Sequence, residues 1–508
     1  MKLLFIILTF ISILSNCYSN VHLGIGQDFN NIEAAFNAGA IHQGDTVFLH
    51  AGSYSGYQGI SKLKGDNSNW IVITRYEDDE IDISGTWQFM SCEYIKFLNL
   101  NFKANSKNPG RLIAVDNSGS CETQSRFIKF DSCSFADVTD ANAITAFKFG
   151  GVDNFEVTNC TFKNMQVCSA FDFNVCHDGL ISGNVIENCI TGGHIKGGAE
   201  NITMERNLFI NASSGTWVAF ELGGDTGEQF YCPEDKFEVK NLKFYSNIII
   251  GGYRGLALSS AIDCKVFNNT FYNCGQATMR FLTTSILFPA LSGNRVENNI
   301  FAFGASEYFN GGTQPAGAVT FEKNIYYSTT KPTFNGPYWD GELSEIKDQN
   351  PINYGSGTAI FVDGANNDFH LIEGSPAIGA GLTLDEPRTD YYGNPFSSTQ
   401  RSIGAIEYIP PVGIIENHLS NFEISPNPAE DFIEINLERW TPLSKWSPSE
   451  EIRIFNTFGE CVKSSHALHT PAPLERGIEK GLKIDVSNLP SGIYFLKMGD
   501  KLFKFVKM

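Results

Sequence analysis

The sequence predicts an all-β chain: a long solenoid of stacked parallel coils with a small β-sandwich after it. Three observations carry this. A short phrase, apolar–x–apolar, then Asn or Cys, then an apolar or aromatic pair, recurs at Val157–Phe162, Ile181–Ile186, Met204–Phe209, Phe244–Ile249, Val266–Phe271, Val296–Phe301 and Phe321–Tyr326. Its spacing is nearly fixed: Asn184 to Asn207 is 23 residues, Asn247 to Asn269 is 22 and Asn299 to Asn324 is 25. A period of this size marks stacked supersecondary units, and the gaps of 40 (Asn207 to Asn247) and 30 (Asn269 to Asn299) are the same unit with loops inserted. Past Pro410-Pro411 the repeat stops and period-2 strands separated by turns take over.

The ends of the chain come first. Met1–Ser19 has one Lys, an apolar run Leu3–Leu14 and Cys17-Tyr18-Ser19, the pattern of a secretory signal peptide; the run is too short to span a bilayer. Cys17 is alternatively a lipidation cysteine, although Asn16 fits that poorly. With 37 Lys+Arg against 56 Asp+Glu, the net charge of −19 argues against a nucleic-acid partner, which needs a basic face. An anionic polysaccharide stays open, since a local basic patch suffices.

Within each coil, alternating apolar residues fill the interior of a parallel sheet. The recurring Asn tolerates a left-handed bend, and its amide bonds the backbone of the next coil, so these asparagines are structural. Ten of the 12 cysteines lie from Cys92 to Cys274. Cys133 and Cys160 stand where Asn stands later and are expected to stack as small buried residues. Export permits disulfides, with Cys168/Cys176 or Cys264/Cys274 as possible pairs, and no CxxC or Cys/His cluster suggests a metal.

At the N-terminal end, Ile32, Ala35 and Phe36 share one face of a short helix, followed by Gly44-Asp45-Thr46-Val47 and Gly52-Ser53-Tyr54. This resembles the start of pectate-lyase-like right-handed parallel β-helices, in which a helix caps the exposed apolar cross-section. Strands are then expected at 70–74, 81–84 and 94–102. The solenoid extends over residues 20–348, a closing segment over 349–409, a linker over 410–421 and the terminal domain over 422–508.

One strand upstream of each phrase lies another, at Ala146–Gly151, Ala170–Phe173, Gly193–Gly198, Val218–Gly224, Leu256–Leu258 and Thr278–Leu282. Stacked as one sheet, their outward residues line a groove, and His194, Lys196, Glu221 and Arg280 are the candidate catalytic set. Counting back from the ladder, Lys196 falls where Phe149 does. Either the register slips at the Gly pair, or Phe147, Phe149, Phe171 and Phe173 point outward as sugar-stacking platforms for substrate.

Lys196-Gly197-Gly198, Asn207-Leu208-Phe209, Leu222-Gly223-Gly224-Asp225-Thr226-Gly227, Phe230, Pro233, Gly251-Gly252, Asn268-Asn269-Thr270 and Arg280-Phe281-Leu282 resemble an uncharacterised family of exported bacterial β-helix proteins, which implies no reaction. Phe361-Val362-Asp363, Asp368–Leu371, Gly374–Gly381 and Ile403–Glu407 resemble the closing segment of surface-anchored β-helices. There Asp363, Asn366 and Asp368 read as calcium ligands or as an Asn/Asp turn. Ile424–Pro428, Leu489–Phe495 and the basic end resemble the C-terminal sorting domain of the type IX secretion system of Bacteroidota, with a long insert carrying Trp440 and Trp446. That resemblance implies export to the outer-membrane surface, then attachment or release.

Two functions follow. The first is an enzyme acting on polysaccharide. In a lyase of uronate-containing glycan, Lys196 or Arg280 is the base, the other neutralises the carboxylate, and His194 is the acid. A hydrolase instead needs two carboxylates, for which Asp172 and Glu221 are available. The second is a non-catalytic surface protein that binds glycan or a partner along the sheet.

Overall fold

The computed structural model describes residues 20–507 apart from 105–110, 139–144, 214, 216, 233–235, 284–288, 312–313, 316, 340–347, 349, 411–423, 426, 437–450, 457–460, 467–480 and 499–500. The expected signal peptide, nearly all of the expected linker and the Trp440/Trp446 insert therefore lie outside the described residues. The chain divides into two units, one up to Tyr408 and one from Ile409.

The first unit is a parallel β-solenoid. A 25-stranded sheet carries two strands of most coils, and a 12-stranded sheet carries the third, so the stack has about a dozen coils. Alternation decides what fills it. Val157, Ile181, Met204, Phe244, Val266 and Val296 pair strand to strand and are fully buried. On the smaller sheet Phe102, Phe135 and Phe162 stack in register with nearly parallel rings. A short helix, Ile32–Asn37, is N-capped by Asn31, whose side chain accepts from the Ala34 amide at 2.8 Å, and it contributes Ile32 and Ala35 to the core.

The asparagine ladder is continuous. Each Oδ1 accepts from the preceding ladder residue's main-chain N–H at 2.8–3.0 Å, in the order Cys160, Asn184, Asn207, Asn247, Asn269, Asn299 and Asn324. Each Nδ2 from Asn184 onward donates to a carbonyl of the coil before it, as Asn184 does to Val157 at 2.8 Å. The left-handed bend falls one residue earlier than expected, at Asn159, Gly183, Arg206, Ser246, Asn268, Asn298 and Lys323, all with φ between 51° and 68°. The ladder residue thus supplies the amide and its predecessor supplies the turn. Cys133 and Cys160 are buried on this line, as expected.

Neither expected cysteine pair forms. Cys168, Cys176, Cys264 and Cys274 are free and buried, and burial pushes each thiol up to about 12. Among the described residues the disulfide is Cys121–Cys232, which links loops 111 residues apart.

Residues 350–408 run back along the outside of the solenoid. Ile360, Leu371, Ala377 and Ile403 cover Ile300, Ala302 and Ile325, while Phe369, Ala405 and Ile406 cover Ile248. Asp363 accepts from the Asn366 main chain and side chain, and Asp368 from His370, so this trio is spent on a turn between two short antiparallel strands.

The second unit has a three-stranded and a four-stranded antiparallel sheet. Its own core comprises Ala429, Ile433, Ile454, Ile484, Val486, Leu489, Tyr494, Leu496 and Phe505.

Candidate functional site

Nine strands of the large sheet form the face that carries the candidates: β1 (Trp87–Met90), β2 (Ile113–Asp116), β3 (Thr145–Thr158), β4 (Ser169–His177), β5 (Thr191–Lys196), β6 (Phe220–Gly223), β7 (Arg254–Ser259), β8 (Ala277–Leu282) and β9 (Tyr308–Asn310). Their register places Gln88, Ala114, Lys148, Asp172, His194, Glu221, Ala257, Arg280 and Asn310 on one outward line. At about 5 Å per strand, Lys148 to Arg280 covers about 24 Å.

The four expected aromatic platforms are not on this surface. Phe147, Phe149, Phe171 and Phe173 are fully buried, and Phe149 stacks on Phe173 with centroids 4.5 Å apart. They alternate with Lys148 and Asp172, so the side chains between the rings face out and the rings face in. The other reading of the Lys196 register holds. Lys196 pairs with Asn174 and Glu200 with His177, so four residues on one strand oppose three on the other. The extra residue is a bulge at Gly197-Gly198, both at positive φ (66° and 91°).

Asp172 is the hub of the line. Lys148 Nζ donates to Oδ2 at 2.5 Å, and His194 Nε2 and Asn174 Nδ2 reach Oδ1 at 2.9 and 3.1 Å. Burial disfavours the charge, but the His194 hydrogen bond and the Lys148 charge outweigh it and hold this carboxyl well below the usual carboxylate range. Glu221 accepts from Ser259 Oγ at 2.5 Å. Lys196 makes no hydrogen bond or ion pair among the described residues; its stem lies against Gly224, where an added Cβ would sit 2.7 Å from Lys196 Cδ. Arg280 likewise has no ion pair among the described residues, and its Nε is buried without a partner. Burial first, and the Arg254 charge second, pull its pKa down against the pull of Glu221. Asn174 Oδ1 is a second buried atom without a partner.

The structure therefore brings His194, Lys196 and Glu221 together on adjacent strands and sets Arg280 three strands beyond His194. Sequence reasoning passed over Lys148, Asn174 and Ser259 and gave Asp172 only a minor part. The signal was present in Phe147-Lys148-Phe149 and Phe171-Asp172-Phe173, where a charge interrupts two apolar neighbours at the same place in successive coils.

Residues 423–507 match the family model of the secretion system C-terminal sorting domain. The chain is accordingly a secreted or outer-membrane cell-surface protein that engages the secretion machinery through this domain. No curated protein matches the chain. Among solved structures, pectate lyase Pel9A aligns with 12% identity and a TM-score of 0.46, over 78% of this chain and 98% of that one. A mannuronic acid specific polysaccharide family 6 lyase from human gut microbiota aligns with 15% identity and a TM-score of 0.43, over 64% and 80%. A polygalacturonase from Erwinia carotovora ssp. carotovora aligns with 12% identity and a TM-score of 0.42, over 63% and 92%.

Proposed function

We propose that this surface protein is a polysaccharide lyase acting on uronate-containing glycan laid along the outward line of β3–β8. One observation carries the reading: Lys196, whose ammonium has no partner among the described residues, stands two residues from an imidazole whose Nε2 is already committed to a carboxylate. Asp172, anchored by Lys148 and Asn174, holds the proton on His194 Nε2 and leaves Nδ1 as the basic nitrogen. Imidazole exchanges protons near neutral pH, whereas Arg does not. The roles accordingly shift from those expected. His194 takes the proton α to the sugar carboxylate, and Lys196 neutralises that carboxylate as charge develops. The C–H electron pair becomes the new C=C bond, the C–O bond to the leaving sugar breaks, and the proton on Nδ1 returns to the leaving oxygen. Arg280, about 14 Å along the line from His194, holds the carboxylate of another sugar. Glu221, fixed by Ser259, accepts from sugar hydroxyls. In a hydrolase Asp172, held ionised by its partners, would serve as base or nucleophile and Glu221 would have to be the acid.

A second reading is glycan binding without chemistry. It is favoured by Tyr338, 64% exposed and stacked on Tyr308 with centroids 5.6 Å apart, beside the Asn310 end of the line. The test is absorbance of unsaturated sugar ends when the full secreted chain meets a panel of uronate polymers. Lyase activity on one polymer that falls by about 10²-fold or more in His194→Gln and in Lys196→Ala supports the first reading. Retained binding with no unsaturated product on any polymer supports the second.

A further inference from the structure

Glu238 lies outside the line described above, is fully buried, and spends both carboxylate oxygens on one corner of the fold. Oε2 accepts from the Gly197 amide at 3.1 Å and from Thr226 Oγ1 at 3.0 Å. Oε1 accepts from the Thr226 amide at 2.7 Å and from the Tyr231 hydroxyl at 2.6 Å. Its main-chain carbonyl accepts from Gly198 and Ala199 at 3.1 and 3.3 Å. A bulge leaves ladder donors without partners, and buried donors without partners are costly. Here Glu238 collects both N–H groups of the Gly197-Gly198 bulge, directly after Lys196, and its carboxylate ties that of Gly197 to the loop that follows β6.

That loop meets Lys196 from the other side. Gly224 packs on the Lys196 stem, and Gly197, at a φ of 66° that favours glycine, would bring a Cβ to 3.1 Å from Thr226 Cγ2. The far end of the loop is tied by Cys232 to Cys121, in the loop that leaves β2 after Asp116. In register, Asp116 aligns with Gly150, Asn174 and then Lys196. The joined loops therefore start and end at strands on either side of the Lys196 strand. The motif residues Lys196-Gly197-Gly198 and Gly223-Gly224-Asp225-Thr226, about thirty positions apart in sequence, are explained together by this corner.

We infer that Glu238 and the Cys121–Cys232 disulfide form one positioning device that holds the bulge and the Gly224–Cys232 loop against each other and so fixes where Lys196 stands. Glu238 touches no reacting atom; it acts through Gly197 and the loop. The inference rests on the proposed lyase reading only for what Lys196 then does, and its test does not use that activity. The rate at which an amine-acylating reagent labels Lys196 in the native full chain is followed by peptide mass spectrometry, with Lys129 and Lys265 as internal references. Glu238→Gln replaces an acceptor oxygen by a donor facing other donors. It is expected to raise Lys196 labelling by at least about fivefold relative to the references, because the corner opens locally without global unfolding. Glu238→Asp, which keeps the acceptors, should give a smaller rise. Should Glu238→Gln fail to fold, Cys121→Ser/Cys232→Ser, or the wild-type chain after mild reduction, supplies the same measurement, with Lys196 rising and the references constant. Unchanged Lys196 labelling in a folded Glu238→Gln chain, or in the disulfide-free chain, overturns the inference. Faster labelling in Glu238→Gln, together with a wild-type chain that produces no unsaturated sugar on any polymer, leaves the device standing and removes the lyase reading.

Discussion

At the scale of single residues, the line from Lys148 to Arg280 shows what alternation reveals and what it hides. The period of two was legible, but its phase was not, because apolar residues such as Ala146 and Ala170 also sit on the outward phase and are buried there. The charges between the phenylalanines settle the phase. Asp172 carries the clearest consequence for pH. Its folded-state pKa is depressed, so the stabilisation from its partners is complete above the ordinary aspartate value of about 3.9 and drains away as pH falls below it toward the folded value. Asp172→Asn should destabilise the solenoid by about 2–4 kcal/mol at neutral pH, since Lys148 and His194 are left facing an amide. That difference should narrow as urea unfolding is repeated from about pH 6 to about pH 3. A difference that stays constant across this range would show that Asp172 matters through shape alone and not through its charge.

At the scale of elements, the repeated phrase marks the seven coils from Val157 to Tyr326, because a buried Asn satisfies its amide by reaching a neighbouring turn of the stack. What the phrase could not reveal is where a coil takes an extra residue. Lys196 and Phe149 each stand eleven positions before their ladder residue, yet one faces out and the other in, since only the Gly197-Gly198 corner carries a bulge. The disulfide was illegible for a related reason. Cys121 and Cys232 meet because two loops leave the same side of different coils, a proximity that local spacing does not encode. The segment after 349 was recognisable by its pattern, but not the face it covers. Its attachment depends on Arg401, which is buried and donates to Asn268 Oδ1 at 3.1 Å and to the carbonyls of Leu384 and Pro387 at 3.0 and 2.6 Å. Asn268 is also the left-handed residue of its coil, so the contact joins the segment to a ladder corner. Arg401→Ala should cost about 3 kcal/mol, because several acceptors lose a charged donor together. Faster hydrogen exchange should appear at 377–408 while the ladder amides of Asn207 and Asn247 stay protected. Uniformly faster exchange across the solenoid would mean that the segment and the coils unfold as one unit.

At the scale of the whole molecule, the two units have separate apolar cores with no residue in common. In a solenoid each coil is stabilised by its neighbours, so the stability of residues 20–408 is set by the stack and by the segment lying on it. The terminal unit is a seven-strand antiparallel assembly whose apolar core, among the described residues, comes from residues 429–505. Sorting and the proposed glycan chemistry are therefore expected to separate cleanly. A chain ending at Tyr408 should unfold within about 3 °C of the full chain's melting temperature, since a loss below about 1 kcal/mol shifts a domain of this size by no more than that. In cells the same truncation should abolish delivery to the outer surface, because the segment that matches the sorting-domain model is gone. Fractionation with antibody against the solenoid would detect the retained protein, and the purified truncated chain would report its own melt. A drop of about 10 °C or more on truncation would show that the sorting unit also stabilises the solenoid. The unfolding of the full chain would then be one cooperative transition instead of two.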